Sequence, residues 1–362
     1  MSAPHPVIRE AFGQLRREAR LRHRDIAEKL NLSEGGLIAA HVGNARDTTD
    51  SPLQATRLRA EWPALIEALE PLGVVMALTR NAHCVHEKTG VYRKASHHGQ
   101  MGLVLGGDID LRLFYAQWAH GFAVSEDTDK GTQRSLQFFD ASGMAIHKIF
   151  LRPESHLAAY LELVEQFRAE DQHPGLTPIA RPTAEPEQPD SHIDIEAFRQ
   201  GWASLRDTHE FFGLLKRFAV SRTQGLRLAD PRFAQQVDLA SAQEVLNAAA
   251  QENVSIMVFV GNAGMIQIHT GTIGKVVVMG PWLNVLDPGF SMHLREDQIA
   301  SAWVVRKPTI DGMVTSLELF DAHGDTIAMF FGERKPGKPE LCEWRGLIDR
   351  LLHTSPEVVC AA

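Results

Sequence analysis

The sequence predicts an α+β protein made of two tandem, structurally similar halves, each with a large, mostly antiparallel β-sheet and flanking helices. Three observations predict this fold class: an internal repeat, a proline-rich break between the repeats, and the same order of helical and strand-like patterns on both sides of the break. The length of 362 residues suits two domains, since one domain takes about 150 residues.

The internal repeat keeps one separation over a long stretch of the chain. Residues 135–150 (SLQFFDASGMAIHKIF) match residues 316–331 (SLELFDAHGDTIAMFF), and Met76 matches Met257 at the same separation of 181. A constant separation from Met76 to Phe150 leaves no net insertion between the halves. The repeat therefore indicates a duplication.

The two halves differ in their polar residues although they keep the repeat. At the separation of 181, Glu28 pairs with His209 and Arg112 pairs with His293. We interpret this divergence as the mark of one site shared by two unlike halves, rather than two equal sites.

The break between the halves contains five prolines among polar residues, over 171–192. This composition favours extended backbone with few hydrogen bonds, as in a linker. We predict an N-terminal domain over 1–170, a linker over 171–192 and a C-terminal domain over 193–355.

Each half begins with helical patterns, continues with strands and closes with a helix. In the first half, residues 24–43 resemble a helix-turn-helix hairpin in which Ser33 opens the second helix. Proline supports the start of the next helix, and runs of strand-forming residues between glycines support the strands after it. The predicted segments are helices over 8–43, 63–69, 156–170 and 340–353, a strand over 73–81, and a strand that runs into a hairpin turn over 138–143.

The stretch WASLRDTHEFFGLL in the second half places one histidine at the start of a predicted helix. Asp207 and Glu210 have the spacing of a capping box, so we expect Asp207 to cap the helix and His209 to lie in its first turn. Phe212 and Leu215 fall near His209 at helical spacing, which predicts an apolar face that contains one imidazole. A neutral imidazole nitrogen is a good metal ligand, and His209 is the candidate metal ligand of the chain.

The composition excludes several classes of protein. A net charge of −8 gives no global basic field to recruit nucleic acid or anionic lipid. The three cysteines (Cys84, Cys342 and Cys360) lack C-x-x-C spacing, which argues against a disulfide framework or a structural zinc site and suits a reducing compartment. The N-terminus lacks the pattern of a signal peptide, and no apolar run is long enough to span a bilayer, so we expect a cytoplasmic protein without membrane insertion.

Four local motifs identify a known family: DTHEFFGLL around His209, DLRLF at 110–114, WVVRKPT at 303–309 and FFGERKPG at 330–337. With the duplication and the linker, they make the whole chain resemble the bacterial haemin-degrading and haemin-transport proteins of the HemS/HmuS/ChuS/PhuS type. The resemblance implies a haem (iron protoporphyrin IX) between the halves, with His209 as the axial iron ligand.

The resemblance also implies further haem contacts. Arg112 is expected on the haem face opposite His209, where it is the candidate catalytic residue, and Phe114 shares its strand face at the period of two. Basic residues at the haem periphery suit the two propionates, because a guanidinium binds a carboxylate with two hydrogen bonds. Thr223-Gln224 stands after Arg222 where the family tends to have Gln directly. The remaining expected haem contacts are Arg222, Phe259, Lys307, Phe331 and Arg334.

The function that the resemblance implies is uptake of imported haem in the cytoplasm, followed by its transfer or by its degradation to release iron. One alternative is a haem chaperone that delivers to a haem oxygenase without turnover of its own. Another is a DNA-binding regulator that uses the 24–43 hairpin, which the net charge disfavours. The expected partners are haem and either a haem oxygenase or the cytoplasmic side of a haem importer, for a monomer or a homodimer.

Overall fold

The structure is a computed structural model that describes residues 4–19, 21–43, 51–181, 186–334 and 337–354, without the side chains of the last two. Cys360 and residues 182–185 of the predicted linker lie outside this part of the chain. None of the helices described is long and apolar enough to cross a membrane.

The chain divides into two compact units, and each takes one short segment from the other half of the sequence. Unit 1 is Met1–Arg80, Glu87–Thr183 and Asn262–Gln267, and unit 2 is Asn81–His86, Ala184–Gly261 and Ile268–Ala362.

Equivalent asparagines secure the exchanged segments. In unit 2, the side-chain amide of Asn81 donates hydrogen bonds to the carbonyls of Gly261 (3.1 Å) and Ile327 (2.8 Å). In unit 1, the amide of Asn262 donates to the carbonyls of Arg80 and Ile146, both at 2.9 Å. The two sets are related by the separation of 181, so the duplication extends to individual hydrogen bonds.

The first half of the sequence supplies five helices and nine strands among its described residues. They are α1 (His5–Ala19), α2 (His23–Lys29), α3 (Glu34–Ala39), β1 (Leu53–Arg57), α4 (Trp62–Glu67), β2 (Gly73–Arg80), β3 (Cys84–Gly90), β4 (Ala95–His98), β5 (Met101–Leu105), β6 (Asp110–Phe114), β7 (His120–Thr128), β8 (Gly131–Phe139), β9 (Ala145–Ser155) and α5 (Leu157–Gln166).

The second half repeats this order. Its elements are α6 (Ile195–Ala203), α7 (Glu210–Phe218), α8 (Arg222–Leu228), β10 (Ala234–Val237), α9 (Ser241–Gln251), β11 (Ile256–Asn262), β12 (Met265–Gly271), β13 (Val276–Met279), β14 (Trp282–Asp287), β15 (Phe290–Arg295), β16 (Ser301–Thr309), β17 (Gly312–Phe320), β18 (Thr326–Gly332) and α10 (Cys342–Thr354).

The strands are antiparallel, as predicted. Unit 1 contains the orders β1-β7-β8-β9-β2 and β4-β5-β6, and unit 2 contains β10-β16-β17-β18-β11 and β13-β14-β15. Counted over the described residues, the eighteen strands form two nine-stranded sheets. This architecture, with helices flanking the sheets, confirms the predicted α+β class and the two similar halves.

Helices cover both faces of the five-stranded sheet in unit 2. On one face, Val245 of α9 and Trp344 of α10 share a buried cluster with Leu317 and Phe330 of the sheet. On the other face, α6, α7 and α8 bury apolar residues against Val305 and other residues of the sheet. Unit 1 is built in the same way, with α4 and α5 on one face and α1, α2 and α3 on the other. The helix that His209 precedes therefore lies directly over a sheet.

The helices that precede each sheet follow a different separation from the strands. Ser33 caps α3 and Ser221 caps α8, and each hydroxyl accepts a hydrogen bond from the backbone N–H three residues later. Asn31 and Ala219, two residues before these caps, both have left-handed φ angles, of 54° and 50°. These pairs are 188 residues apart, so unit 1 has seven more residues than unit 2 between this cap and its first strand.

This shift corrects one prediction from the repeat. In the frame set by the caps, the counterpart of His209 is Leu21, and the pairing of His209 with Glu28 was wrong. The strands on either side of Arg112 and His293 keep the separation of 181, so that pairing stands.

Candidate functional site

His209 stands at the start of a helix, but Asp207 does not cap that helix. Helix α7 begins at Glu210, so His209 is its N-cap residue rather than a member of its first turn. One oxygen of Asp207 accepts hydrogen bonds from the backbone N–H of His209 (2.8 Å) and from its ring Nδ1 (2.6 Å). The Glu210 carboxylate accepts from the backbone N–H of Arg206 at 2.8 Å. Asp207 closes a tight turn on His209, and the helix starts after that turn.

The contact with Asp207 fixes the chemical form of the His209 ring. A carboxylate only accepts hydrogen bonds, so Nδ1 of the neutral ring must carry the proton, and Nε2 keeps its lone pair. The side chain of His209 is 90 % exposed, and among the described residues Nε2 has no hydrogen-bond partner. The bonds from His209 lower the pKa of Asp207, which keeps it ionised. The structure thus presents an outward-facing nitrogen base.

The apolar neighbours of His209 do not form the single face that we predicted. Leu215 is buried in the core of unit 2, whereas Phe212, one helical turn after His209, is 75 % exposed. Phe212 is therefore on the surface with His209, and Leu215 anchors α7 to the sheet.

Two further segments approach the turn before α7. The backbone N–H of Ile310, in the hairpin between β16 and β17, donates to the carbonyl of Arg206 at 3.0 Å. In the same hairpin, Asp311 is 3.5 Å from a terminal nitrogen of Arg334. Arg334 also contributes to the lowered pKa of Asp207, after the bonds from His209. Arg334 is thus a cation close to the His209 turn, as expected for a residue at the periphery of a ligand.

Arg222 and Lys307 occupy a buried ionic cluster below α7. Glu318 accepts from Arg222 Nε at 2.8 Å and from Lys307 Nζ at 2.7 Å. Both cations also lie over the ring of Phe211, the Arg222 guanidinium at 5.3 Å and the Lys307 ammonium at 4.7 Å from its centroid. Ser316 completes the cluster with a hydrogen bond of 2.9 Å to Glu318.

Burial and charge act in opposite directions in this cluster. Burial lowers the pKa of Lys307, against the attraction of Glu318. Burial alone would raise the pKa of Glu318, but Arg222 and Lys307 outweigh it and lower the pKa to about 2. The Lys307 side chain is only 5 % exposed and that of Arg222 is 27 % exposed. Arg222 has the more accessible charge of the two.

Phe259 and Phe331 form a half-buried aromatic pair on the sheet beside this cluster, with ring centroids 4.9 Å apart. Phe331 lies directly opposite Ser316 across the ladder, and Ser316 lies opposite Val305. Directly opposed residues share one face of a sheet, so Phe331 is on the face that α6, α7 and α8 cover. Six of the eight expected haem contacts thus belong to unit 2.

The other two, Arg112 and Phe114, belong to β6 in unit 1. Both are half-buried on one face of β6, between Leu111 and Leu113, which are buried in the core, so the predicted alternation is confirmed. The Arg112 guanidinium is held by the carboxylate of Asp110 on the same face. Burial raises the pKa of Asp110, against the effect of Arg112.

Sequence reasoning missed Asp207 as the partner of the His209 ring and Glu318 as the partner of two cations. A signal for Glu318 was present: the acidic residue interrupts the apolar strand SLELF, where the first half has Gln137. A charged residue inside a strand of the core needs a buried counter-ion. For Asp207, the capping pattern gave a competing interpretation of the same carboxylate.

The donor set of this site is a single imidazole beside aromatic and cationic side chains. Among the described residues, no group of three or more His, Cys, Asp or Glu side chains is placed to hold a metal ion. One outward Nε2 suits a metal that arrives with its other ligands, as in a macrocycle, and the aromatic rings suit the apolar surface of such a group.

Known proteins share this architecture over nearly the whole chain. The chain is 41 % identical over 331 residues to Hemin transport protein HemS of Yersinia enterocolitica, which covers 91 % of this chain and 92 % of that protein. Its structure matches holo-PhuS, a heme-binding protein from Pseudomonas aeruginosa, with a TM-score of 0.92 and 46 % identity, over 96 % of this chain and 99 % of that chain. It also matches ChuS, a heme oxygenase of Escherichia coli, with a TM-score of 0.84 and 36 % identity, over 97 % and 100 % of the two chains.

A family model accounts for both halves of the sequence. The haemin-degrading HemS.ChuX domain matches residues 31–167 and again residues 219–351. The two matches begin 188 residues apart, which is the separation of the helix caps in the structure. The chain belongs to the haemin-degrading HemS.ChuX domain family.

Proposed function

We propose that this protein binds haem in the cytoplasm, with His209 as the axial ligand of the iron, and serves haem utilisation by taking up imported haem. The observation that carries this proposal is the exposed His209 ring, whose Nδ1 is held by Asp207 while Nε2 has no partner among the described residues. Similarity to proteins named for haemin transport and heme binding supports haem as the ligand.

The side chains around His209 fit a haem. Phe212 offers exposed apolar surface one helical turn away, and Arg334 offers a guanidinium near the same turn. A bound haem supplies iron and its redox chemistry, and the protein supplies ligation, orientation and access. Arg334 and Arg222 are the cations that we assign to the propionates, because the ammonium of Lys307 is already bound to Glu318 in the interior.

Arg112, Phe114, Phe259 and Phe331 remain proposed haem contacts on the basis of the family resemblance. Arg112 is suited to donate a hydrogen bond to a polar ligand, since only one of its terminal nitrogens is bonded among the described residues. Phe259 and Phe331 are half-buried, so each ring keeps surface for packing.

Titration of the apo-protein with haemin tests the ligand assignment. We expect saturable one-to-one binding with the optical and resonance Raman spectra of histidine-ligated iron. His209→Ala should weaken binding strongly and change the Soret and visible bands. A variant with the spectrum and affinity of the wild type would refute His209 as the ligand.

The chain offers a matched control for that experiment. His173 repeats the arrangement of His209: Asp171 accepts from its backbone N–H at 2.8 Å and from its Nδ1 at 2.7 Å, and the ring is 93 % exposed. His173 does not precede a helix in the structure. His173→Ala should leave haemin binding unchanged, and a loss equal to that of His209→Ala would mean that any exposed histidine captures haemin.

The fate of the bound haem is a separate proposal. We propose that the protein either degrades haem or passes it on unchanged, since its relatives include a heme oxygenase and a haemin transport protein. Incubation of the haem complex with reductant and oxygen, with and without catalase, separates the two. Loss of the Soret band in the presence of catalase would support degradation, and loss only in its absence would leave transfer to an acceptor as the function.

A further inference from the structure

The local geometry of Asp207 and His209 carries one inference beyond haem binding. Asp207 contacts the ring nitrogen of His209 that faces away from a ligand, and it contacts the backbone N–H of the same residue. Both bonds go to one oxygen, Oδ1, so the carboxylate holds the ring and its backbone as one unit. A side chain held at two points keeps its direction even where most of its surface is exposed.

We infer that Asp207 is a positioning residue that acts on bound haem through His209, by fixing the proton of the ring on Nδ1 and by strengthening Nε2 as a donor to iron. This role depends on the proposed function, because it requires His209 to ligate the iron. It adds a residue outside the family motif H-x-F-F and predicts how that residue tunes the metal.

Physical chemistry separates two contributions of the carboxylate. As a hydrogen-bond acceptor, it selects the tautomer in which the lone pair is on Nε2. As a negative charge, it draws the Nδ1 proton and makes the ring a stronger donor, which favours ferric over ferrous iron. Asparagine keeps an acceptor oxygen and loses the charge, whereas alanine loses both.

The first test needs no haem. With 15N-labelled histidine, the nitrogen chemical shifts of neutral His209 in the apo-protein report which nitrogen carries the proton. We expect the Nδ1–H form in the wild type and in Asp207→Asn, and a shift towards the Nε2–H form in Asp207→Ala. A wild-type ring that is mainly in the Nε2–H form would overturn the inference whatever the protein binds.

The second test uses the haem-loaded protein. Resonance Raman spectra of the ferrous complex give the iron–histidine stretching frequency, and a redox titration gives the midpoint potential. Asp207→Asn should lower that frequency and raise the potential, with a smaller loss of haemin affinity than Asp207→Ala, whose loss we expect at about 10- to 100-fold. Wild-type frequency and potential in both variants, with His209 still the ligand, would overturn the inference.

Asp171→Asn is the control for both measurements. It removes the same charge from the same local arrangement at His173. It should change neither the tautomer of His209 nor the spectrum of the haem complex. If His209→Ala itself binds haemin with the wild-type spectrum, the ligand assignment fails, and the action of Asp207 on iron fails with it, while the apo-protein measurement still reports the tautomer.

Discussion

Equivalent helices in the two units place opposite charges against equivalent parts of their sheets. The first residue of α3 is Glu34, and the first residue of α8 is Arg222, each directly after its capping serine. Glu34 binds Lys148 of β9 in unit 1. Arg222 binds Glu318 of β17 and also contacts the sulfur of Met329, which is the counterpart of Lys148. The acid and the base have changed places between helix and sheet.

This exchange shows what the shared fold constrains. The backbone requires a cap and a buried ion pair at this position, because an unpaired charge in the interior is costly. It does not require a given sign, since either charge is acceptable when its partner changes with it. The same freedom allows Leu21 in unit 1 where unit 2 has His209, so a binding site can arise in one unit without altering the frame.

The largest expected effect comes from removal of the shared carboxylate in unit 2. Glu318→Ala leaves the buried charges of Arg222 and Lys307 without their partner, and breaking such a pair costs about 3–5 kcal/mol of unfolding free energy. Glu34→Ala leaves only Lys148 without a partner, so we expect a smaller loss. Urea denaturation of the apo-protein, followed by circular dichroism, measures both.

An exposed pair provides the control for these two variants. Glu61 binds Arg59 at 2.9 Å on the surface, where such a pair contributes at most about 1 kcal/mol. Glu61→Ala should therefore change the denaturation midpoint little. A Glu318→Ala variant as stable as Glu61→Ala would show that the cluster does not hold the helices to the sheet.

Acid sensitivity should also be traceable to one carboxylate in each unit. In unit 2, Arg222 and Lys307 outweigh burial and lower the pKa of Glu318 from 4.5 to about 2. In unit 1, His23 and Arg16 outweigh burial and lower the pKa of Glu126 from 4.5 to about 2. Each lowered pKa contributes stability that is complete above pH 4.5 and is lost as the pH falls towards 2, by roughly 3 kcal/mol per group.

Denaturation of the apo-protein at a series of pH values from 6 to 2 tests this pH dependence. Glu318→Gln should flatten the fall in stability between pH 4.5 and pH 2, because glutamine has no proton to gain. Glu126→Gln should flatten the same range through unit 1. An unchanged slope in Glu318→Gln would mean that this carboxylate has the same pKa in the folded and unfolded chain.

The sequence was sufficient to predict the fold class because the duplication repeats whole elements. Strands such as β7 and β16 begin and end 181 residues apart, as the repeat of 135–150 in 316–331 indicates. The position of His209 at a helix start was also predictable from local pattern. These features depend on neighbours along the chain, which a sequence displays directly.

Other features depend on contacts between distant residues and were out of reach. Arg222 and Lys307 were expected to face a ligand, but their common partner Glu318 is apparent only when the α8 helix packs on β16 and β17. The counterpart of His209 was misassigned because the repeat was extended from the strands into the helices. A seven-residue difference lies between the two, where no sequence match marks it.

The smallest expected effect concerns the caps that set the frame of the comparison. Ser33 accepts from the N–H of Gly36 at 3.1 Å, and Ser221 accepts from the N–H of Gln224 at 3.0 Å. Ser33→Ala and Ser221→Ala should each lower the unfolding free energy by about 1 kcal/mol, and glycine at either position by only a few tenths of that. Equal losses would mean that the two caps have stayed equivalent while the charges behind them reversed. Because the Ser221 cap fixes the residue that binds Glu318, its loss should be smaller in a Glu318→Ala background, and a fully additive loss would show that cap and ion pair act independently.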